Sequence, residues 1–476
     1  MLILQTFPEI RKLYINFIVK IIRLRKGLDI NLAGKAPRQK TAIGKAEDYA
    51  LTPDTFVGVT PKVVVKEGER VKAGSALFVN KNCPQVSFAS PVSGTVTAIE
   101  RGERRKVLSV KVKADDQQEF VEFGVKEVSQ LSADQVVESL LQAGLFGFIN
   151  QLPYAVSTTP DTHPKGIFVS ALRDKPLACD FEYEVKGQED DFVAGLIALS
   201  KIAPTHLGLG IQPDLQAELF KRGIEKYVTV TVYDGKCPAG NVGVQVNHTD
   251  PVNKGEVVWM VEPTAVIFFG RLFRTGRVNM MRTIAIAGSE ITEPAYADVM
   301  TGTPLTAILD RKMKHEDGVR IIQGNPLTGS QATKNDFLGA HTSTICVLPE
   351  GDHADELLGW IMPRWGQFSA SRSYFSWLQN LWCFGKKKQY NLDARVKGGE
   401  RHMIMSGEYD RVLPMDIYGE YLIKAIIAGD IDKMEQLGIY EVSPEDFALA
   451  EFVDSSKLEL QKIVRNGLDM LRKENA

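Results

Sequence analysis

The stretch from Pro61 to Val112 constrains the fold more than any other part of the chain. It reads PKVVVKEGERVKAGSALFV, a short polar turn, then VSFASPVSGTVTAIERGERRKVLSVKV. Each half alternates Val, Ala, Phe and Ile with polar residues. The turns fall at Glu67-Gly68-Glu69, Ala73-Gly74-Ser75, Val92-Ser93-Gly94 and Arg101-Gly102-Glu103. Period-two alternation between glycine turns predicts short antiparallel strands. Two such halves laid face to face predict a small flattened β-sandwich. Glycine suits these turns because a tight hairpin needs positive φ at one of its positions.

The pattern V-x-x-G-x-x-V-x-x-G followed by S-P-x-x-G-x-V resembles the biotinyl/lipoyl carrier fold. A working carrier presents a modified lysine at the hairpin tip, eight residues before that proline. Counting back eight from Pro91 reaches Cys83, and the nearby Lys81 lacks the flanking residues of the carrier pattern. The expectation is therefore a carrier scaffold without a prosthetic arm.

A chain of 476 residues, 44% of them apolar, can bury several cores, and its length suggests about three domains. A net charge of −2 gives no sign of a nucleic-acid partner. The cysteines at 83, 179, 237, 346 and 383 include no C-x-x-C pair. That spacing argues against an iron–sulfur cluster or structural zinc and suits a reducing compartment. Leu13 to Leu24, LYINFIVKIIRL, carries Lys20 and Arg23 and is too short to span a bilayer, which takes about 20 apolar residues. Residues 1–20 are read as an N-terminal extension, either without a structural role or as an amphipathic surface helix.

Ile21 to Gly34 predicts an edge strand and a loop, and residues 35–56 a surface excursion. Ser132 caps a helix that Gly144 stops. Leu145 to Ala155, LFGFINQLPYA, has neither helical nor strand period and predicts a loop over the core or the wall of an apolar cleft. Strands 166–172, 206–211 and 226–233, separated by helices near 190–201 and 213–222, predict βαβ units with a parallel sheet. Gly208 and Gly210 make only a GxG inside a strand, not a dinucleotide fingerprint. Met260 to Val266 opens a helix with Pro263 in its first turn, running to Arg274 and stopped by Gly276. Residues 282–330, with a G-N-P-L-T-G turn, and the run Thr344 to Pro349 form a β-grasp pattern similar to the soluble-ligand-binding (SLBB) family. Trp360, Ile361, Tyr374, Phe375 and Trp377 precede Lys386, Lys387 and Lys388, and read either as a surface suited to a protein or membrane contact or as ordinary core aromatics followed by a solvated loop. Helices are expected at 419–428, 431–437, 444–452 and 458–473.

The predicted fold class is α+β multidomain. An extension (1–20) precedes a biotinyl/lipoyl-like β-sandwich (21–128) and a Rossmann-like α/β domain (129–255). A linking helix with an SLBB-type β-grasp (256–350) and a C-terminal helical domain (351–476) complete it.

That order resembles the NADH-binding flavin subunit of respiratory complex I. Further likeness lies in KGLDINLAG (26–34), SPVSGTVTAIERGERR (90–105), NPLTG (325–329) and VLPMDIYGEYLIKAIIAGD (412–430). With these, the chain from Ile21 onward is similar to the A-subunit family of sodium-translocating NADH:quinone oxidoreductases. The Gly-rich FMN loop and the cysteine triplet of the complex I relative have no counterpart in this sequence. The resemblance implies a peripheral protein on the cytoplasmic face, docked on a multi-span membrane subunit, with no flavin or Fe–S cluster of its own. NADH, FAD, FMN and Fe–S centres are then held by partner subunits. It also implies a role at the quinone end, with ubiquinone or menaquinone as substrate. A quinone site needs apolar walls and one or two hydrogen-bond donors, and Phe146, Phe148, Pro153 and Tyr154 are the candidate lining. The competing expectation is a non-redox small-ligand-binding module on a degenerate carrier and β-grasp scaffold.

Overall fold

The computed structural model describes residues 19–352, 361–372, 374–378 and 388–475. The extension through residue 18, Cys383, Trp360, Lys386 and Lys387 lie outside the described residues.

The Pro61–Val112 stretch folds into two antiparallel sheets. One has the strand order Asp48–Leu51, Val107–Ala114, Gly94–Arg101, Arg70–Val71; the other runs Pro61–Val63, Ala76–Asn80, Cys83–Ala89. Alternate residues point inward and meet around Phe78, which stacks on Phe88 with centroids 4.7 Å apart, and Phe56, 4.4 Å from Phe88. Gly68 and Gly74 take the expected positive φ (83° and 97°). The hairpin tip at Gly102 does not: Gly102 sits at φ −91°, and Arg104 and Arg105 carry the positive φ instead. The expected surface excursion before this stretch is also corrected. Asp48–Leu51 pairs with Val107–Ala114, and residues 39–41 run beside Tyr296 as a strap. Cys83, at the carrier's lysine position, is buried.

A seven-stranded sheet forms the centre, in the order Lys20–Arg23, Val228–Asp234, Thr205–Leu209, Gly166–Ser170, Val258–Val261, Ile149–Leu152, Val156–Ser157. The first five are parallel and the last two form an antiparallel hairpin at the edge. Two expectations change here. Residues 149–152 are a strand rather than a loop, and Val258–Val261 is a strand that ends where the helix was expected to begin. Val258 and Trp259 are buried on the sheet, so a short apolar run that reads equally as helix or strand resolves as strand. The helix itself spans Pro263–Thr275, with Gly276 at φ 70° closing it in the left-handed region.

A five-stranded sheet follows, in the order Ala295–Met300, Met281–Ala287, Thr344–Pro349, Val319–Gln323, Ser330–Ala332; the strands Met281–Ala287 and Thr344–Pro349 are parallel. The C-terminal helices Gly419–Ala428, Ile431–Gln436, Ala448–Val453 and Leu460–Glu474 share one core with both neighbouring sheets, through Phe168, Val244, Ile322, Leu348, Leu422, Phe447 and Leu468. No described helix is long and apolar enough to cross a membrane.

Candidate functional site

Chain order reverses at one place in the central sheet. From Gly166–Ser170 the chain steps to Thr205–Leu209 on one side and then outward to Val228–Asp234. It returns to place Val258–Val261 on the other side. Segments leaving the carboxyl ends of the two strands that flank a reversal diverge, and the crevice between them is where open α/β sheets bind ligands. A cleft of about 650 Å³ opens there. Its floor is Ser170 and the segment Leu172-Arg173-Asp174-Lys175 from one strand, with Val261-Glu262-Pro263 from the other. The five-stranded sheet closes a second side with Gln323, Asn325, Thr328 and His341, and the C-terminal region a third with Glu445, Gln461 and Arg465.

The G-N-P-L-T-G turn is held in place by its own asparagine. Asn325 accepts from the Leu327 and Thr328 amides (2.9 and 3.1 Å) and donates to the Thr328 hydroxyl (2.7 Å). Gln461 of the last helix donates to the Leu327 carbonyl (3.0 Å), which docks the helix on the turn.

The cations around the cleft are matched by carboxylates of this chain. Arg173 lies 2.9 Å from Glu184, whose side chain is 1% exposed, and donates to the Thr264 hydroxyl at 2.9 Å. Lys175 pairs with Glu445 at 2.6 Å. Arg465 pairs with Asp469 at 3.0 Å and donates to the Tyr154 and Ala155 carbonyls. Burial opposes the charge on Lys175, but Glu445 more than offsets it and raises the ammonium above its ordinary range. Next to this pair, the Asp446 carboxyl is pushed up to about 6 by burial, against hydrogen bonds from Ser443 and Asn241.

His341 and Glu262 form the last polar pair, Nδ1 3.6 Å from the carboxylate. Burial alone raises the Glu262 carboxyl; His341, Arg282 and Arg173 outweigh that and bring it below the ordinary value. The imidazole packs between Phe56 and Phe148, both at 5.4 Å between centroids.

The four residues singled out from the sequence lie behind or beside the cleft. Phe146 is fully buried against Trp259 (5.6 Å), and Phe148 is 3% exposed, facing Phe56, Phe268 and His341. Pro153 is buried, and the Tyr154 hydroxyl meets Asn475 at 3.2 Å. None of the four is among the cleft walls; Asn150 and Ala155 of the same segment are, beside Thr55 and Val57. Phe146 and Phe148 belong to a tight helical turn packed into the core ahead of the strand Ile149–Leu152, and Pro153 and Tyr154 to the hairpin turn after it. Arg173, Lys175 and Glu262 were missed, although Glu262 directly follows the strand Val258–Val261 and the other two lie in the segment leaving Gly166–Ser170 at the reversal. His341 and Glu445 carry no local signal. Gly208 of the GxG is a packing position: a Cβ there would collide with the Gln245 side chain. Among the described residues no cluster of His, Cys, Asp or Glu could hold a metal ion. Cys179, Cys237 and Cys346 are buried, and burial pushes their thiols up.

Three family models match the chain: the NqrA N-terminal barrel-sandwich hybrid domain over residues 22–115, the NqrA second alpha/beta domain over 131–278, and the NQRA C-terminal domain over 283–334. The chain is 34% identical to the A subunit of the Na(+)-translocating NADH-quinone reductase of Yersinia pseudotuberculosis over 458 residues, covering 95% of this chain and 100% of that one. It is 35% identical to the protein of the same name from Serratia proteamaculans over 468 residues, with the same coverage. Among solved structures, an NAD+-reducing [NiFe]-hydrogenase in the H2-reduced state overlaps 73% of this chain and 62% of its own, at 12% identity and TM-score 0.37.

Proposed function

This chain belongs to the family of A subunits of Na+-translocating NADH-quinone reductases, and from that premise we propose that it is the peripheral, cytoplasm-facing member of such a complex and that its strand-end cleft receives the quinone. In this reading the two antiparallel sheets are a carrier-like sandwich, the central sheet a Rossmann-like domain and the sheet at 281–349 an SLBB-type β-grasp. A multi-span membrane protein of the complex is the docking partner. NADH, FAD, FMN and Fe–S chemistry reside in the partner subunits, and sodium export belongs to the assembled complex.

The observation that carries the choice of ligand is the internal neutralisation of the cleft. Unpaired cationic side chains would favour a nucleotide or flavin phosphate. Here Arg173, Lys175 and Arg465 are each held by a carboxylate of the same chain. With Glu445 beside it, the Lys175 ammonium offers an entering phosphate little net attraction. A neutral quinone ring needs no such attraction, and the cleft offers it Val57, Leu172, Met260 and Val261 as apolar surface, with hydroxyl and amide donors at the rim. Phe148, expected from the sequence as quinone lining, enters this reading one layer back, as the ring that backs His341.

The test is photo-crosslinking of a quinone analogue in the assembled complex, followed by peptide mapping. Label in peptides containing Thr55 to Val57, Asn150 to Ala155, or Gln323 to Ser330 supports the cleft. Label confined to other subunits, or to peptides of this chain remote from these walls, overturns it.

A further inference from the structure

Arg173, Lys175 and Arg465 are each held by a carboxylate at 3.0 Å or less, whereas His341 has Glu262 beside it but too far for a hydrogen bond. Both ring nitrogens of His341 are buried and neither has a hydrogen-bond partner. Glu262, at 3.6 Å, is near Nδ1 but beyond hydrogen-bond distance. Buried polar atoms left in this state cost stability, and folded proteins retain them rarely. Phe56, beside the sandwich, and Phe148, in the turn that leads into the central sheet, pack against the ring at interplanar angles of 73° and 54°, and its side chain is 18% exposed. It borders the cleft between Thr342 and the Glu262 carboxylate. With both nitrogens shut away, the part that meets the cleft is carbon; a half-turn of the ring exchanges Nδ1 with Cδ2 and Nε2 with Cε1. That motion keeps the ring in the same plane between the two phenyl groups.

We propose that His341 is the specificity-determining donor of this site: a ring N–H, turned into the cleft, donates to a carbonyl oxygen of the quinone. The inference rests on the quinone reading of the cleft and adds to it which end is polar and which side chain recognises the carbonyl. A quinone oxygen is a neutral acceptor, and it relieves the orphaned donor without bringing in charge. No bond to hydrogen breaks in this binding step. Glu262 is a positioning residue: as the last residue before the helix Pro263–Thr275 it stands on a rigid element, and its carboxylate beside the ring biases which edge the imidazole turns to the ligand.

The experiment uses the full chain and ubiquinone-1 labelled with 13C at its carbonyls. Binding is followed by equilibrium titration and by difference infrared spectroscopy of the C=O stretch. In the unaltered chain one carbonyl band is expected to shift to lower frequency on binding. His341→Phe keeps a ring between Phe56 and Phe148 and removes both nitrogens; it is expected to weaken binding about tenfold and abolish the shift. His341→Gln, which restores an amide donor, is expected to recover part of each, and Glu262→Gln to reduce the shift. Val57→Trp fills the cleft from its exposed rim and reports on the quinone reading itself. If Val57→Trp blocks binding but His341→Phe leaves affinity and band unchanged, the role of His341 is refuted and the cleft stands. If the unaltered chain does not bind ubiquinone-1, or Val57→Trp binds it normally, the quinone reading falls and takes this inference with it.

Discussion

Gly195 and Gly270 meet where the helices Glu189–Ile202 and Pro263–Thr275 cross. A Cβ on Gly270 would collide with the Asp191 carbonyl and stand 2.9 Å from the Gly195 amide nitrogen; one on Gly195 would collide with the Val266 carbonyl. The two backbones touch, and only glycine allows that approach. The crossing also sets the position of Glu262 at the head of the second helix.

Gly270→Ala is therefore expected to destabilise the chain by about 1–3 kcal/mol, the range for forcing extra atoms into a packed contact. The small gain in helix propensity does not offset a backbone collision. Urea unfolding of the full chain reads the change. Gly366→Ala, where a Cβ would meet open space, is the control and is expected to stay within about 0.5 kcal/mol of the unaltered chain.

Arg173 and Glu184 make a second test. Glu184 is almost wholly buried, so Arg173→Leu strands a carboxylate in a low-dielectric interior. A loss of about 3–5 kcal/mol is expected. Replacing both partners with leucine removes the stranded charge and is expected to recover most of that loss. The recovery, measured as a double-mutant cycle, separates the cost of an unpaired charge from the loss of packing.

Local signals reached the elements and stopped short of the site. The Ser132 cap was legible because a capping box is written in four consecutive residues: Ser132 accepts from the Gln135 amide, and the Gln135 side chain accepts in return from the Ser132 amide. Pro263 and Gly276 bounded their helix for the same reason. The chain from Ile21 read as an edge strand and a loop; the strand is Lys20–Arg23, and its partner is Val228–Asp234, far along the chain and beyond any local pattern. The hairpin Ile149–Leu152 with Val156–Ser157 was hidden because its turn places Tyr154 and Ala155, not glycine, at positive φ. His341 reaches the cleft only once three sheets are assembled around it.

Asp446 gives a pH dependence with a definite sign. Burial, and then the neighbouring Glu445 charge, raise its carboxyl from an ordinary value near 3.8 to about 6. The folded state therefore holds this proton more tightly than the unfolded one. The resulting stabilisation is complete below pH ~3.8 and is lost as pH rises through ~6. Asp446→Asn removes the titration. The stability of the unaltered chain relative to this variant is expected to fall between pH 4 and 6 (roughly, from those two pKa values) and to level off above. A difference that stays flat or grows with pH would show that burial does not govern this carboxyl.

Lys175 and Glu445 allow the ligand preference to be reversed. The ammonium lies 2.6 Å from the Glu445 carboxylate, and that contact makes the cleft neutral on its C-terminal side. Glu445→Gln keeps the side chain's size and hydrogen-bonding capacity but leaves Lys175 with an unmatched charge facing the cleft. A repulsive carboxylate also disappears, so attraction and loss of repulsion act together on any entering anion. Inorganic pyrophosphate, used as the probe, is expected to bind the variant at least tenfold more tightly than the unaltered chain, a gap of about 1.4 kcal/mol. The gain should fade as salt is raised, because the exposed part of the interaction is screened. Ubiquinone-1 carries no charge, and its affinity should change little. Equal pyrophosphate binding by both chains would mean that the internal ion pairs do not set what this cleft accepts, and the case for a neutral ligand would lose its footing.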